Sequence, residues 1–172
     1  AAAVRGVLTS GAQVESLVTE RTVGIVGVHL FGLSADIDPL LDLCGRHGLW
    51  FVEDAACALG AWYRGRHVGT FGVASAFSFH PRKSITTGEG GMVTTADAAL
   101  AEKVNMLRNH GASVSEEQRH AGPRPYLLPD FNLLGFNYRM TDLQGAVGLA
   151  QLPKLDRFIA DMQDQTLLAE VI

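Results

Sequence analysis

The sequence predicts an α/β fold in which helices flank a mainly parallel sheet. Two short apolar runs, residues 23–30 and 49–54, enclose a segment with helical spacing, and the order strand, helix, strand is typical of a crossover between parallel strands. Of the 172 residues, 47% are hydrophobic and 19% are charged, which is enough apolar material for one sizeable core. We therefore expect one domain over residues 1–172.

Local patterns define the remaining elements of the first two thirds of the chain. The helix after the first strand is predicted to use Asp38 as its cap, to hold Pro39 in its first turn and to end at Gly48. Two further strands are predicted over residues 73–79 and 91–95, and a helix over residues 97–110. Residues 112–137 are predicted to form a long surface excursion.

The last third of the chain is predicted to be helical. Thr141 and Gln144 have the spacing of a capping box, which predicts a helix start. Pro153 should interrupt that helix, because proline lacks the backbone N–H that a helix interior needs. A further helix is expected after it, with Leu155, Ile159 and Met162 directed inward.

Composition and cysteine usage limit the classes of partner. Fourteen Lys and Arg stand against eighteen Asp and Glu, a net charge of −4, and no run of basic residues predicts binding to nucleic acid. The longest apolar stretch, residues 23–33, is interrupted by His29 and is shorter than the roughly 20 residues that span a bilayer. That length predicts no membrane partner. Cys44 and Cys57 form no CxxC pair, which fits a reducing compartment, so we expect a cytoplasmic location.

Polar side chains lie at or near the ends of three of the predicted strands. His29 ends the first strand, Asp54 the second, and Ser78 lies on the third, five residues before Lys83. The carboxyl ends of parallel strands meet at one edge of a sheet, where ligands bind in open α/β folds. Glu53 should face the opposite side of the sheet from Asp54 and is predicted to be structural.

Each of the four candidate site residues also has a simpler interpretation. They are His29, Asp54, Ser78 and Lys83. Most lysines are solvated, and a serine on a strand can be an ordinary core residue. Asp54 fits a turn as well as it fits a ligand contact. A buried histidine with satisfied nitrogens is the commoner outcome for His29, which nevertheless stays a candidate ligand contact. Local pattern alone leaves these alternatives open.

Six motifs in fixed order carry a resemblance to a known family. They are Val-His-Leu-Phe-Gly at 28–32, Glu-Asp-Ala-Ala at 53–56, Phe-Ser-Phe-His-Pro-Arg-Lys at 77–83, Thr-Thr-Gly-Glu-Gly-Gly at 86–91, Leu-Arg-Asn-His-Gly at 107–111 and Phe-Asn-Tyr-Arg-Met-Thr at 136–141. From about residue 22 to 158 the chain resembles the DegT/DnrJ/EryC1/StrS family of sugar aminotransferases. The resemblance implies the large, PLP-binding domain of aminotransferase fold type I.

The resemblance also implies an activity and a site. Family members use pyridoxal 5'-phosphate to transfer an amino group, usually from glutamate, to a keto group of a nucleotide-diphosphate sugar. Lys83 matches the lysine that carries the cofactor, Asp54 the aspartate that pairs with the ring nitrogen, and Ser78 a phosphate ligand. Asn137 matches an asparagine that reaches the phosphate in the neighbouring subunit, which implies a homodimer. Cys57 stands where the family usually has a glutamine contacting the cofactor's phenolic oxygen.

The resemblance further implies an internal fragment. Family members are more than twice as long, and neither their N-terminal Gly-Thr phosphate loop nor their small C-terminal domain has a counterpart here. We therefore expect the chain as given to be inactive alone. Two alternatives within the same fold are a catalytically silent interaction subunit and a sugar dehydratase. Dehydratases of the family carry histidine at the lysine position, so Lys83 favours transamination.

Two unrelated classes fit less well. A P-loop places its glycines before a Lys-Ser pair, whereas the glycines here follow Lys83 and lead into a strand. A metal hydrolase could use His29, Asp54 and His80, but no HExxH motif or close histidine pair supports it. We accordingly predict no metal.

Overall fold

The computed structural model describes residues 11–114 and 116–169, with side chains described outside 116–117 and 164–169. The chain divides into two units, one built from the residues up to Thr95 and from Asp142 onward, the other from Ala96–Thr141. The helices and strands, in chain order, are α1 (Gly11–Glu15), β1 (Gly24–Val28), α2 (Ile37–His47), β2 (Trp50–Asp54), β3 (Trp62–Tyr63), β4 (Arg66–His67), β5 (Ala74–Ser78), β6 (Gly91–Thr94), α3 (Ala98–Arg108), α4 (Glu116–Ala121), α5 (Asp142–Gln151), a 3-10 turn (Leu152–Lys154) and α6 (Leu155–Ala169).

A four-stranded sheet in the order β1, β2, β5, β6 organises the first unit. The first three strands pair in parallel, and β6 pairs with β5 antiparallel. The predicted strands and the mainly parallel sheet are confirmed. Because β1, β2 and β5 run in the same direction, the loops that follow them leave from one edge.

Helix α2 and one face of the sheet form the main core. Ile37, Leu40, Leu43 and Cys44 recur at three- and four-residue steps on α2, and they are buried together with Phe51 of β2. The helix ends at Gly48, which has φ of 64°, as the glycine signal predicted.

The prediction that Asp38 caps α2 is wrong. The helix begins at Ile37, so Asp38 lies in its first turn together with Pro39, and Asp36 occupies the cap position without a side-chain bond to the helix. The Tyr63 hydroxyl takes over the capping role. It donates to Asp36 Oδ1 at 2.7 Å and accepts from the Asp38 N–H at 3.3 Å.

Tyr63 belongs to a short hairpin that we did not predict. Strands β3 and β4 are joined by Arg64 and Gly65, both with positive φ, 48° and 78°. A two-residue turn of this kind favours glycine at its second position. The Arg-Gly pair between the two short strands could therefore have predicted the hairpin.

The C-terminal helices follow the predicted pattern with one exception. Pro153 converts one turn into a 3-10 turn between α5 and α6, as its missing N–H predicted. Ile159 is half-buried against Gly60, whereas Met162 is 45% exposed, so its inward placement is wrong. No helix among the described residues is both long and apolar enough to cross a membrane.

The second unit holds α3, α4 and the segment predicted as a surface excursion. Asp97 caps α3, accepting from the N–H groups of Ala99 and Leu100 at 2.8 and 3.2 Å. The excursion folds back on the end of α3 through single bridges, one of them between Ala112 and Phe131.

Gly111 is essential to this turn. Its φ is 81°, and a methyl group on its Cα would overlap the carbonyl oxygen of Leu133. We expect Gly111→Ala to lower the free energy of unfolding by at least about 2 kcal/mol, measured by urea denaturation. Gly45→Ala is the matched control, because Gly45 lies in α2 with open space around it and should gain roughly 0.5 kcal/mol. Equal stability of the two variants would contradict this account of the turn.

Candidate functional site

The candidate site lies at the edge where β1, β2 and β5 end. Backbone bonds align these ends: the His29 N–H donates to the Asp54 carbonyl at 3.0 Å, and the Ala55 N–H donates to the Ala76 carbonyl at 2.9 Å. Asp54 is the register partner of Ala76, and Ser78 lies two residues further along β5. Since side chains alternate along a strand, Asp54 and Ser78 share one face of the sheet, with Cα atoms roughly 8 Å apart.

Both side chains are half-buried and keep hydrogen-bonding capacity. Asp54 Oδ1 accepts from the Ala56 N–H at 3.1 Å, and within residues 11–114 and 116–169 no group bonds its Oδ2. The Ser78 hydroxyl oxygen accepts from the His80 N–H at 3.3 Å, so its own proton remains available to an incoming acceptor. A carboxylate oxygen and a hydroxyl donor are thus directed to the same side of the sheet.

Lys83 is anchored on the loop that leaves β5, which we call the lysine loop (residues 79–90). Its backbone N–H donates to the His80 carbonyl at 3.0 Å. Its Nζ donates to Cys57 Sγ at 2.8 Å, so the loop after β2 and the lysine loop meet at these two side chains. The Cys57 carbonyl in turn accepts from the Gly32 N–H at 2.9 Å, which joins the loop after β1 to the same cluster.

His29 lies apart from these groups, within the core. It is fully buried, its Nδ1 accepts from the Ala35 N–H at 3.1 Å, and its Nε2 lies 3.2 Å from Glu53 Oε2. The Ala35 donor fixes the tautomer, so the proton is on Nε2 and is donated to Glu53. Both ring nitrogens are engaged, which agrees with the simpler interpretation of a satisfied histidine and leaves no ring nitrogen for a cofactor.

Glu53 points away from Asp54 and is structural, as predicted. Its Oε2 also accepts from the Gly69 N–H at 2.7 Å, and its Oε1 accepts from the N–H groups of Phe71 and Gly72 at 2.7 and 2.8 Å. Burial alone would raise the pKa of Glu53, but the bonds from His29 and the three backbone donors lower it to about 2. This carboxylate fixes the turn that leads from β4 into β5.

Asn137 belongs to the second unit and is exposed there. It forms a bridge with Asn109, next to the bond from the Tyr138 N–H to the Arg108 carbonyl at 2.8 Å. Arg139 supports the same bridge by donating from Nη1 to Asn109 Oδ1 at 2.7 Å. Sequence reasoning named Asn137 but missed Arg139, although both fall in one motif.

The metal-hydrolase alternative has no support from these contacts. Both ring nitrogens of His29 are already bonded, to Glu53 and to the Ala35 N–H. The acidic group near His80 Nε2 is Glu89 Oε1, at 3.9 Å, and not Asp54. Among the residues with described placement, no cluster of three His, Cys, Asp or Glu side chains could hold a metal ion.

The donor set fits pyridoxal phosphate. A primary amine at Lys83 suits an aldehyde, a carboxylate oxygen of Asp54 suits a ring N–H, and the hydroxyl of Ser78 suits a phosphate oxygen. Between the last two, Ala76 is exposed and presents only a methyl group on the shared face.

Comparisons with known proteins agree with this fit. GDP-perosamine synthase from Caulobacter vibrioides is 47% identical over 149 residues, which are 87% of this chain and 37% of that protein. The solved structure of PseC from Helicobacter pylori, an aminotransferase involved in the biosynthesis of pseudoaminic acid, gives a TM-score of 0.76 at 37% identity, covering 86% of this chain and 37% of that one. Escherichia coli GDP-4-keto-6-deoxy-D-mannose-3-dehydratase with bound hydrated PLP gives 0.74 at 28% identity, covering 88% and 40%.

The chain therefore spans about 37% of the length of the curated relatives it matches. Over that span the predicted α/β fold of PLP-dependent aminotransferases is confirmed. A sequence profile of the DegT/DnrJ/EryC1/StrS aminotransferase family matches residues 6–169. The chain belongs to that family.

Proposed function

We propose that this chain is the lysine-bearing part of a PLP-dependent sugar aminotransferase. The full-length protein would transfer an amino group from glutamate to a keto group of a nucleotide-diphosphate sugar. The observation that carries the proposal is the placement of Lys83 and Cys57 at the strand edge where Asp54 and Ser78 share a face. The names of the relatives, GDP-perosamine synthase above all, support a sugar substrate.

Each side chain has a distinct part in this mechanism. Pyridoxal phosphate, when bound, supplies an aldehyde and a protonated ring that withdraws electrons from the carbon attached to the substrate nitrogen. The Lys83 amine would hold it and, once displaced by the amino donor, Nζ would move the proton between that carbon and the cofactor's C4′. The Asp54 carboxylate would keep the ring nitrogen protonated, and Ser78 would donate to the phosphate.

The proposed active unit is a homodimer with a shared site. Asn137 would reach the phosphate group bound by the neighbouring subunit, and its exposure on the second unit is compatible with that role. The net charge of −4 and the apolar segments give no reason to propose nucleic acid or membrane as a partner. A cytoplasmic location stays a prediction.

A dehydratase remains the second candidate, because dehydratases are among the structural relatives. Both reactions can be tested with one experiment. The full-length protein is incubated with pyridoxal phosphate, L-glutamate and a panel of keto nucleotide sugars, and the products are identified by mass spectrometry. The proposal expects a sugar that has gained an amino nitrogen, with one 2-oxoglutarate per product. A sugar that has lost an oxygen would assign the dehydratase, and no reaction with any keto sugar would refute both.

Cys57 offers a separate prediction about the cofactor. A carboxamide N–H is a stronger hydrogen-bond donor than a thiol, so Cys57→Gln should tighten pyridoxal phosphate binding by about threefold to tenfold. Titration of the cofactor absorbance measures the affinity. Cys57→Ala, which removes the thiol without adding a donor, is the control. If Cys57→Gln and Cys57→Ala bind equally, residue 57 does not contact the cofactor.

A further inference from the structure

Helix α5 contacts the lysine loop through an unusual face. Gln144, Gly148 and Gln151 are spaced by four and three residues, so they lie on one side of the helix. These three are half-buried, whereas Leu143 and Leu149 on the rest of the helix are 81% and 72% exposed. Within this unit the helix is therefore packed by its amide and glycine side.

The two glutamines bond to the backbone of the lysine loop near its end. The Thr86 N–H donates to Gln151 Oε1 at 3.0 Å, and Gln144 Nε2 donates to the Glu89 carbonyl at 2.9 Å. Between them, a methyl group on Gly148 would lie 3.0 Å from Thr87 Cγ2, so the small residue allows the helix to approach closely. Side-chain amides thus form hydrogen bonds to the backbone at both ends of residues 86–89.

Residues 86–90 in turn close the loop that carries Lys83. The Thr86 hydroxyl and the Thr87 N–H both donate to the Phe79 carbonyl, at 2.8 and 3.0 Å. The Phe79 N–H donates to the Gly90 carbonyl at 2.9 Å. The returning side of the loop is therefore bonded to its base, and Lys83 lies on the segment between them. A shift of residues 86–89 would therefore change the position of the loop segment that carries Lys83.

We propose that Gln144 and Gln151 are positioning residues for Lys83, acting through residues 86–89 and contacting neither cofactor nor substrate. This inference rests on the proposed function of Lys83. The two glutamines have opposite hydrogen-bonding roles in these contacts. Gln151 accepts, because its partner is the N–H group of Thr86, and Gln144 donates, because its partner is the carbonyl oxygen of Glu89.

These opposite roles make the same exchange give opposite results at the two positions. In Gln151→Glu a carboxylate oxygen still accepts from Thr86, whereas in Gln144→Glu a carboxylate faces the Glu89 carbonyl and the bond is lost. Gln151→Leu removes the acceptor and Gln163→Glu, at an exposed position of α6, controls for added charge. Each variant of the full-length protein is mixed with pyridoxal phosphate, reduced with borohydride at fixed times, and analysed for labelled Lys83 by peptide mass spectrometry.

We expect the rate of Lys83 labelling to fall about tenfold in Gln144→Glu and Gln151→Leu, and to stay within about twofold of wild type in Gln151→Glu and Gln163→Glu. Amide hydrogen exchange without cofactor should accelerate over residues 84–90 in the first pair alone. The rescue by Gln151→Glu separates positioning from a general loss of packing.

The outcomes separate the two hypotheses. If wild type labels Lys83 and all variants label it equally, or if Gln151→Glu loses as much as Gln151→Leu, the positioning role is wrong while the proposed function stands. If wild type is not labelled at Lys83, the proposed function fails. In that case unchanged hydrogen exchange in Gln144→Glu would also reject the glutamine contacts as restraints on the loop.

Discussion

Replacing Lys83 with alanine is expected to reduce kcat/KM for the proposed amino transfer by at least about 10³-fold, because it removes the amine proposed to hold the cofactor and move the proton. Lys83→Arg should be as defective, since a guanidinium keeps the charge but does not act as the required nucleophile. The measurement is steady-state transfer from glutamate, followed as 2-oxoglutarate.

The loss should be chemical and not structural. Lys83 is half-buried and, among the residues that the structure describes, its Nζ bonds only to Cys57, so the free energy of unfolding should change by less than about 1 kcal/mol. Lys154→Ala, at an exposed lysine of the same unit, should keep full activity. Retention of a tenth or more of the wild-type kcat/KM in Lys83→Ala would remove Lys83 from the mechanism.

Replacing Glu53 with leucine is expected to have the largest effect on stability. The change leaves the His29 Nε2–H and the N–H groups of Gly69, Phe71 and Gly72 without an acceptor in a buried place. Each unsatisfied buried donor costs about 1–3 kcal/mol, so the free energy of unfolding should fall by at least about 4 kcal/mol. Urea denaturation at pH 7 measures it, with Glu20→Leu at an exposed position as the control.

The same carboxylate predicts a pH dependence. The folded-state pKa of Glu53, about 2, is lower than the ordinary value of 4.5, so its ionisation contributes stability above pH 4.5. That contribution, about 3 kcal/mol, should be lost progressively as the pH falls from 4.5 to 2. Glu53→Gln removes the titrating group, so its stability should vary less over this range than that of wild type. Parallel pH profiles would contradict the lowered pKa.

The sequence predicted the features that depend on near neighbours. Gly48 ends α2, Pro153 interrupts the C-terminal helices, and the alternation of β2 separates Glu53 from Asp54, as expected from local rules. Asp97 lies at the start of a predicted helix and is observed as its cap. In each case the determining contact lies within a few residues along the chain.

The failures involve contacts between distant residues. Asp38 has the residue type of a cap for α2, but the helix begins at Ile37, and Tyr63, 25 residues after Asp38, supplies a hydroxyl that accepts from the Asp38 N–H. Met162 has helical spacing with Ile159, but spacing does not reveal which face another element covers. The roles proposed for Asp54 and Ser78 came from family resemblance, since local pattern left each with a simpler alternative, and the role of Asn137 came from the resemblance alone.

The glutamine contacts of α5 also bear on how the protein folds during synthesis. Gln151 lies 65 residues after Thr86, and Gln144 lies 55 residues after Glu89. At about 5–20 residues per second, the ribosome needs roughly 3–13 s to add the 65 residues. For most of that interval the nascent chain contains the complete lysine loop but not the helix that restrains it. The order of translation therefore places the two glutamine bonds among the last contacts of the lysine loop to form.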